Sequence, residues 1–280
     1  MLKWQSKLLM KKSTLSSFKT RSVTGIIYAV ILLAAIFAGK YYFSAVLAVL
    51  VILSIHEYLK MTIVNPIYNN YRITLLVAGI IFFAWQLLII SNFEDYLLVL
   101  SIIYLIFILS FALFLKNSQS FLLQLFYGYI WILFPASIFI IFLIQQPENY
   151  YLMLIPVVLT WISDTFAYLG GILFGKHKLI PKLSPLKTVE GFITGIVFTV
   201  LAAFVFYQLT NHTSLLNSLL AGFIISIASV FGDLFESLIK RQHKVKDSGK
   251  LLPGHGGILD RIDSFLIVFP TFVIICKLLY

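Results

Sequence analysis

Apolar runs long enough to cross a bilayer recur along the chain at about nine places: 23–39, 41–59, 73–90, 96–115, 121–144, 150–174, 191–209, 215–239 and 259–279. A hydrocarbon core of about 30 Å takes roughly 20 helical residues, and a water-soluble fold has no use for so many such runs. Of the 280 residues 60% are apolar and 11% charged, against roughly 25% charged in an ordinary globular chain. That is too little polar surface to face water. In lipid, backbone N–H and C=O groups must be satisfied inside the segment, so the runs are predicted as helices. The expectation is an all-α, polytopic integral membrane protein with about nine transmembrane helices. Cys276 is the single cysteine, which leaves neither an intramolecular disulfide nor a cysteine-based zinc site within this chain.

A net charge of +10 would suggest nucleic acid in a soluble protein, but lysine and arginine orient membrane helices. With the N-terminus in the cytoplasm, the tail, 60–72, the turn at Lys116, 176–190 and 240–258 fall inside. All but Lys40 and Lys277 of the 21 basic residues then lie on that face or at the helix start just beyond it. Nucleic acid is therefore not an expected partner. Three parts follow: a basic tail over 1–22, helices one to five over 23–149, and helices six to nine over 150–280 with cytoplasmic loops 176–190 and 240–258.

Acidic residues separate the two halves. The first five runs hold almost no ionisable residue between their ends; Glu57 with His56, at the end of the second, could reach the site, although a residue at a helix end more often contacts headgroups. Later runs carry Asp164, Asp233, Glu236, Asp260 and Asp263. An aspartate at the centre of an inserted helix costs about 2.5–3.5 kcal/mol, so such residues face a polar cavity or a partner. Asp233, Glu236, Ser237 and Lys240 stand at i, i+3, i+4 and i+7 on one helical face, and Asp260, Asp263 and Ser264 repeat the spacing on the next helix. Between them lie Lys244, Lys246, Asp247 and Lys250, then 253–257 with three glycines that permit close backbone approach to an anion. Carboxylates opposed across a basic loop suit Mg²⁺ and phosphates, because Mg²⁺ takes one or two carboxylates plus substrate oxygens. The pattern GxxxxGK[ST] is absent, which excludes a P-loop site.

The stretch Ser237-Leu-Ile-Lys-Arg-x4-Lys246-Asp247-x-Gly249-x-x-Leu252-Pro253-x-His255-Gly256-Gly257-Ile-x-Asp260-Arg261-Ile-Asp263 resembles the signature of the phosphatidate cytidylyltransferases, the CDP-diacylglycerol synthases. Trp161-x-x-Asp164-Thr-x-Ala-Tyr168-x-x-Gly171 and the segment from Gly175 through Ser184, Lys187, Thr188 and Glu190 to Gly191 resemble further blocks of that family. The resemblance runs from about Trp161 to the C-terminus. It implies transfer of CMP from CTP to phosphatidic acid, giving CDP-diacylglycerol and pyrophosphate. It also implies Mg²⁺ as cofactor, Asp233 and Asp260 as metal-binding acids, a homodimer, and a site facing the cytoplasm; the compact length favours a bacterial inner-membrane enzyme.

By charge and place, Lys240, Arg241, Lys246 and Arg261 would hold the triphosphate and the lipid phosphate, with Asp233, Asp260, Lys240 and Arg261 as the catalytic set. Substrate-binding candidates are Asp164, Ser184, Lys187, Thr188, Glu190, Ser237, Arg241, Lys246, Asp247, His255, Gly256, Gly257 and Asp263. Several have blander readings: Asp164 as an interhelical hydrogen bond, Thr188 or Glu190 as a helix cap, His255 as a turn residue. The site is expected from the cytoplasmic halves of the last four helices. Two other functions fit parts of the pattern. A CTP-dependent polyprenol or dolichol kinase would combine similar acids and basic loops, and an ion-coupled transporter would place acids near mid-membrane with an inverted repeat. The unbroken signature opposes the first, and the position of the acids toward the cytoplasmic ends opposes the second.

Overall fold

The computed structural model describes residues 23–62, 72–90, 96–114, 121–147, 149–210, 214–249, 251–252 and 256–279. Among these, nine helices follow in order: α1 (Val23–Ala38), α2 (Lys40–Thr62), α3 (Arg72–Ile90), α4 (Leu97–Phe114), α5 (Phe121–Gln145), α6 (Tyr151–Phe174), α7 (Val189–Thr210), α8 (Leu215–Gln242) and α9 (Leu259–Leu279). By length and composition six of them can cross a membrane: α2, the 124–145 part of α5, and α6 to α9. Helices α1, α3 and α4 offer shorter apolar stretches, Val23–Ala38, Ile73–Ile89 and Leu97–Ser110. The protein is thus an all-helical, polytopic membrane protein, apart from one small sheet. That sheet lies in the expected loop 176–190, where β1 (Lys178–Ile180) and β2 (Ser184–Thr188) pair antiparallel, Lys178 opposite Thr188 and Ile180 opposite Ser184.

The centre of the bundle is α9, buried along most of its length and packed on α2, α4, α5, α6 and α8. Phe139 of α5 stacks on Phe269 of α9 with ring centroids 4.1 Å apart, and Phe43 and Phe272 meet it edge-on. Nearer one end, Trp131 is fully buried between Tyr58 and Phe235. The outer face of α7 instead exposes Ile193, Val197, Leu201, Val205 and Leu209. This row at every fourth position forms an apolar stripe suited to lipid.

Apolar side chains gain nothing from leaving lipid for one another, so close van der Waals packing must hold the helices together, and small residues sit where backbones approach. Gly232 of α8 lies against α9: an added Cβ would stand 2.6 Å from the Ser264 Cα and 2.7 Å from the Asp263 carbonyl oxygen. Several hydroxyls in the bundle bond one turn back on their own helix, as where Thr199 donates to the Gly195 carbonyl at 2.7 Å. At the end of α5, Lys40 Nζ donates to the carbonyls of Ile144 (2.9 Å) and Gln146 (2.5 Å). A cation there complements the helix C-terminus. The hairpin, the end of α8 and the start of α9 share the opposite end, where the charged residues gather.

Candidate active site

Helix α8 and the start of α9 present their acids to each other because Gly232 lets the two backbones close. Lys240 links them: its Nζ donates to Glu236 Oε2 at 2.5 Å and to Asp260 Oδ1 at 2.7 Å. The side chain of Glu236 is 1% exposed and that of Asp260 9%, so the ammonium compensates charges that are largely withdrawn from water. One turn earlier, oxygens of Asp233, Glu236 and Asp263 lie within 4.8 Å of one another. Glu236 Oε1 is buried without a hydrogen-bond partner. Asp233 also takes Lys187 of β2 at 2.5 Å and the Ser237 hydroxyl at 3.4 Å. Three converging carboxylates, one with an unsatisfied buried oxygen, are a donor set that fits a hard divalent cation.

Asp260 is engaged on both oxygens. The Ser248 N–H donates to Oδ1 (3.2 Å) and Oδ2 (3.1 Å), and the Gly257 N–H to Oδ2 (2.7 Å). The glycine-bearing loop thus turns amides onto Asp260, and Gly256 has the left-handed φ of 85° that glycine adopts without strain. A cavity of about 350 Å³ opens beside this centre, lined among others by Asp164, Asp260, Arg261 and Asp263, and by Thr24 and Tyr28 of α1. The Tyr28 hydroxyl donates to the Arg261 carbonyl at 3.4 Å.

The remaining expected residues fall in distinct places. Asp164 lines the cavity and accepts from the Ser229 hydroxyl at 2.9 Å, combining the site-wall and interhelical readings. Thr188 caps α7, its Oγ1 accepting the Gly191 N–H at 3.1 Å. Glu190 closes the base of the hairpin, accepting the N–H groups of Lys176 and His177 at 3.0 and 3.2 Å and facing His177 Nδ1 at 2.6 Å. Ser184, paired with Ile180, starts the second strand. Arg241 reaches the Leu183 carbonyl from Nε (3.4 Å) and the Val245 carbonyl from Nη1 (3.0 Å), tying hairpin to loop. Lys246 and Asp247 are exposed, and His255 lies outside the described residues. Burial lowers the pKa of His243, at the end of α8, so its imidazole is neutral at pH 7 and adds no positive charge there.

Two contributors lie outside the last four helices. Thr24 and Tyr28 of α1 complete the cavity wall. Glu57 of α2 is 2% exposed, so it is no headgroup contact. It accepts the Leu259 N–H at 3.0 Å and the Ser248 hydroxyl at 3.3 Å.

These features define a class: a polytopic helical membrane protein with a carboxylate and lysine centre at one end of its bundle, beside a cavity walled by both halves of the chain. Residues 19–279 match the Cytidylyltransferase family, and the chain belongs to that family. Similar proteins include those named phosphatidate cytidylyltransferase from Haemophilus influenzae, 47% identical over 127 residues (44% of this chain and 44% of the relative), and Staphylococcus epidermidis, 44% identical over 133 residues (47% and 51%). The protein of that name from Aquifex aeolicus is 41% identical over 151 residues, 54% of this chain and 57% of the relative. The chain spans about half the length of the relatives it matches.

Proposed function

We propose that the protein is a phosphatidate cytidylyltransferase: an oxygen of the phosphatidic acid phosphate attacks the α-phosphorus of CTP, the bond to the bridging oxygen breaks, and pyrophosphate leaves with that electron pair. The observation that carries this reading is Lys240 held between Glu236 and Asp260, with the carboxylates of Asp233 and Asp263 one turn away. The attacking phosphate is already anionic near pH 7, so no side chain need act as general base. The protein's task is then positioning and charge stabilisation.

In this reading Asp233 and a carboxylate of α9 hold Mg²⁺. Asp263 stands in the same oxygen group, and Asp260 lines the cavity three residues earlier. Mg²⁺ supplies charge neutralisation on the triphosphate. Lys187, Arg241, Lys246 and Arg261 take the remaining phosphate charge, and Lys240 keeps Asp260 and Glu236 in register. Ser184, Ser237, Asp247, His255, Gly256 and Gly257 complete the substrate-binding set, while Thr188 and Glu190 act through the hairpin that carries Lys187. Helices α6 to α9 carry the chemistry over 150–280, and the 23–149 part contributes its α1 wall. The two acyl chains of phosphatidic acid stay in lipid while the headgroup enters beside α1. The same proposal has all nine helices crossing a bacterial inner membrane, the N-terminus and the site on the cytoplasmic side, and a homodimer as the working unit.

The test is conversion of radiolabelled CTP into chloroform-soluble product by purified protein in detergent with phosphatidic acid. Label is expected only with both phosphatidic acid and Mg²⁺, falling to background on chelation and returning when Mg²⁺ is added in excess. Folded protein that labels no lipid under these conditions refutes the reading, and phosphorylation of a polyprenol in its place would establish the kinase.

A further inference from the structure

We propose that Glu57 of α2 is a positioning residue of this site, fastening Ser248 and the start of α9 so that Asp260 keeps its orientation toward Lys240. The inference rests on the reaction proposed above. A carboxylate buried to 2% exposure in an apolar helix is costly unless it is compensated. Among the described residues no lysine or arginine forms an ion pair with Glu57, and its Oε1 has no hydrogen-bond partner there. Its Oε2 instead takes the Leu259 N–H, at the first residue of α9, and the Ser248 hydroxyl. A helix N-terminus favours an anion, so the carboxylate of one helix is spent on the first turn of another.

Ser248 is the hinge of the arrangement. Its hydroxyl donates to Glu57 and its N–H to both oxygens of Asp260. Two acids from opposite halves of the chain therefore hold one residue from two sides. Gly249 and Gly257 show how close this part of the chain lies to α2: a Cβ on Gly249 would collide first with the Glu57 carboxylate, and one on Gly257 with the Ser248 hydroxyl and then with that carboxylate. Those glycines leave space for Glu57, and the Gly257 N–H is given to Asp260. Loss of Glu57 would free Ser248 and the α9 start together, and Asp260 would drift from Lys240.

The test compares Glu57→Ala, Glu57→Gln and Ser248→Ala with the unmodified protein, all purified in detergent and monodisperse. Displacement of a reacting group by about 1 Å can cost up to about 100-fold. We expect Glu57→Ala to lower kcat by about 10- to 30-fold and raise the Mg²⁺ concentration for half-maximal rate by about tenfold, with KM for phosphatidic acid within about twofold. Glu57→Gln keeps an acceptor for both donors and should recover most of kcat. Ser248→Ala should shift kcat and Mg²⁺ dependence the same way by less, and it decides the matter if Glu57→Ala does not fold. Limited trypsin digestion at Lys244 and Lys246 gives a readout independent of activity, with faster cleavage expected in Glu57→Ala. Folded variants with unchanged kcat, Mg²⁺ dependence and cleavage overturn the proposal. So does a lower folded yield whose folded fraction turns over normally. If the unmodified protein transfers no cytidylyl group, the reaction reading fails alone, and the fastening stands or falls on the cleavage rates.

Discussion

Lys240→Met should reduce cytidylyl transfer by about 10²- to 10³-fold at saturating CTP and Mg²⁺, and lower the thermal midpoint of the detergent-solubilised protein. Methionine keeps the length and most of the volume of lysine, so packing changes little and the effect isolates the charge. The ammonium donates to Glu236 at 2.5 Å and to Asp260 at 2.7 Å. Without it two buried carboxylates face each other uncompensated, and removing one partner of a buried pair costs about 3–5 kcal/mol. Asp260 would still be held by the Ser248 and Gly257 amides, so the loop should survive while the register between α8 and α9 is lost. Lys240→Arg restores the charge but not the shape, because a planar guanidinium cannot occupy the position of a compact ammonium between two oxygens, and only partial recovery is expected. Turnover of Lys240→Met within about tenfold of the unmodified protein would remove Lys240 from the catalytic set.

The acids of α8 and α9 were legible because their i, i+3, i+4 and i+7 spacing puts them on one face whatever the bundle around them. The structure brings Asp233, Glu236, Lys240, Asp260 and Asp263 together. Spacing within a helix carries no information about which other helix lies opposite. Glu57 therefore reads from the sequence as an acid that could reach the site or contact headgroups, while its partners Ser248 and Leu259, 191 and 202 residues away, are visible only in the structure. Tyr28 was hidden in the same way, being one aromatic of an apolar helix until its hydroxyl is seen on the Arg261 carbonyl. The glycines of 253–257 are expected to allow close backbone approach to an anion. Among the described residues, Gly256 and Gly257 lie against the carboxylates of Asp260 and Glu57, which belong to the protein. The short hairpin escaped notice because its strands are few in residues, prolines interrupt the segment, and its closure depends on Glu190 accepting from 176 and 177 across the base.

Gly232→Ala should cost about 1–3 kcal/mol of stability and reduce turnover of the folded protein by about 100-fold. At this position the added methyl group would meet the Ser264 Cα at 2.6 Å and the carbonyl oxygens of Asp263 and Ser264 at 2.7 and 3.1 Å. All three are backbone atoms of a buried helix, and none can swing aside as the end of a side chain could. Helices α8 and α9 must separate or slide, and Asp233 and Asp263 ride on the parts that move. An oxygen group within 4.8 Å tolerates little of that displacement before it ceases to be one site. Gly222→Ala is the control. It lies on the same helix far from the acids, where the new methyl would meet the Ala203 Cβ at 2.7 Å and the Thr199 carbonyl at 3.0 Å on α7. It should lose comparable stability yet keep turnover per folded molecule within about twofold, since α7 and α8 can part there without shifting a carboxylate. Equal losses of turnover in the two variants would mean that the bundle responds as a whole, and that the close contact at Gly232 has no special part in setting the distance between Asp233 and Asp263.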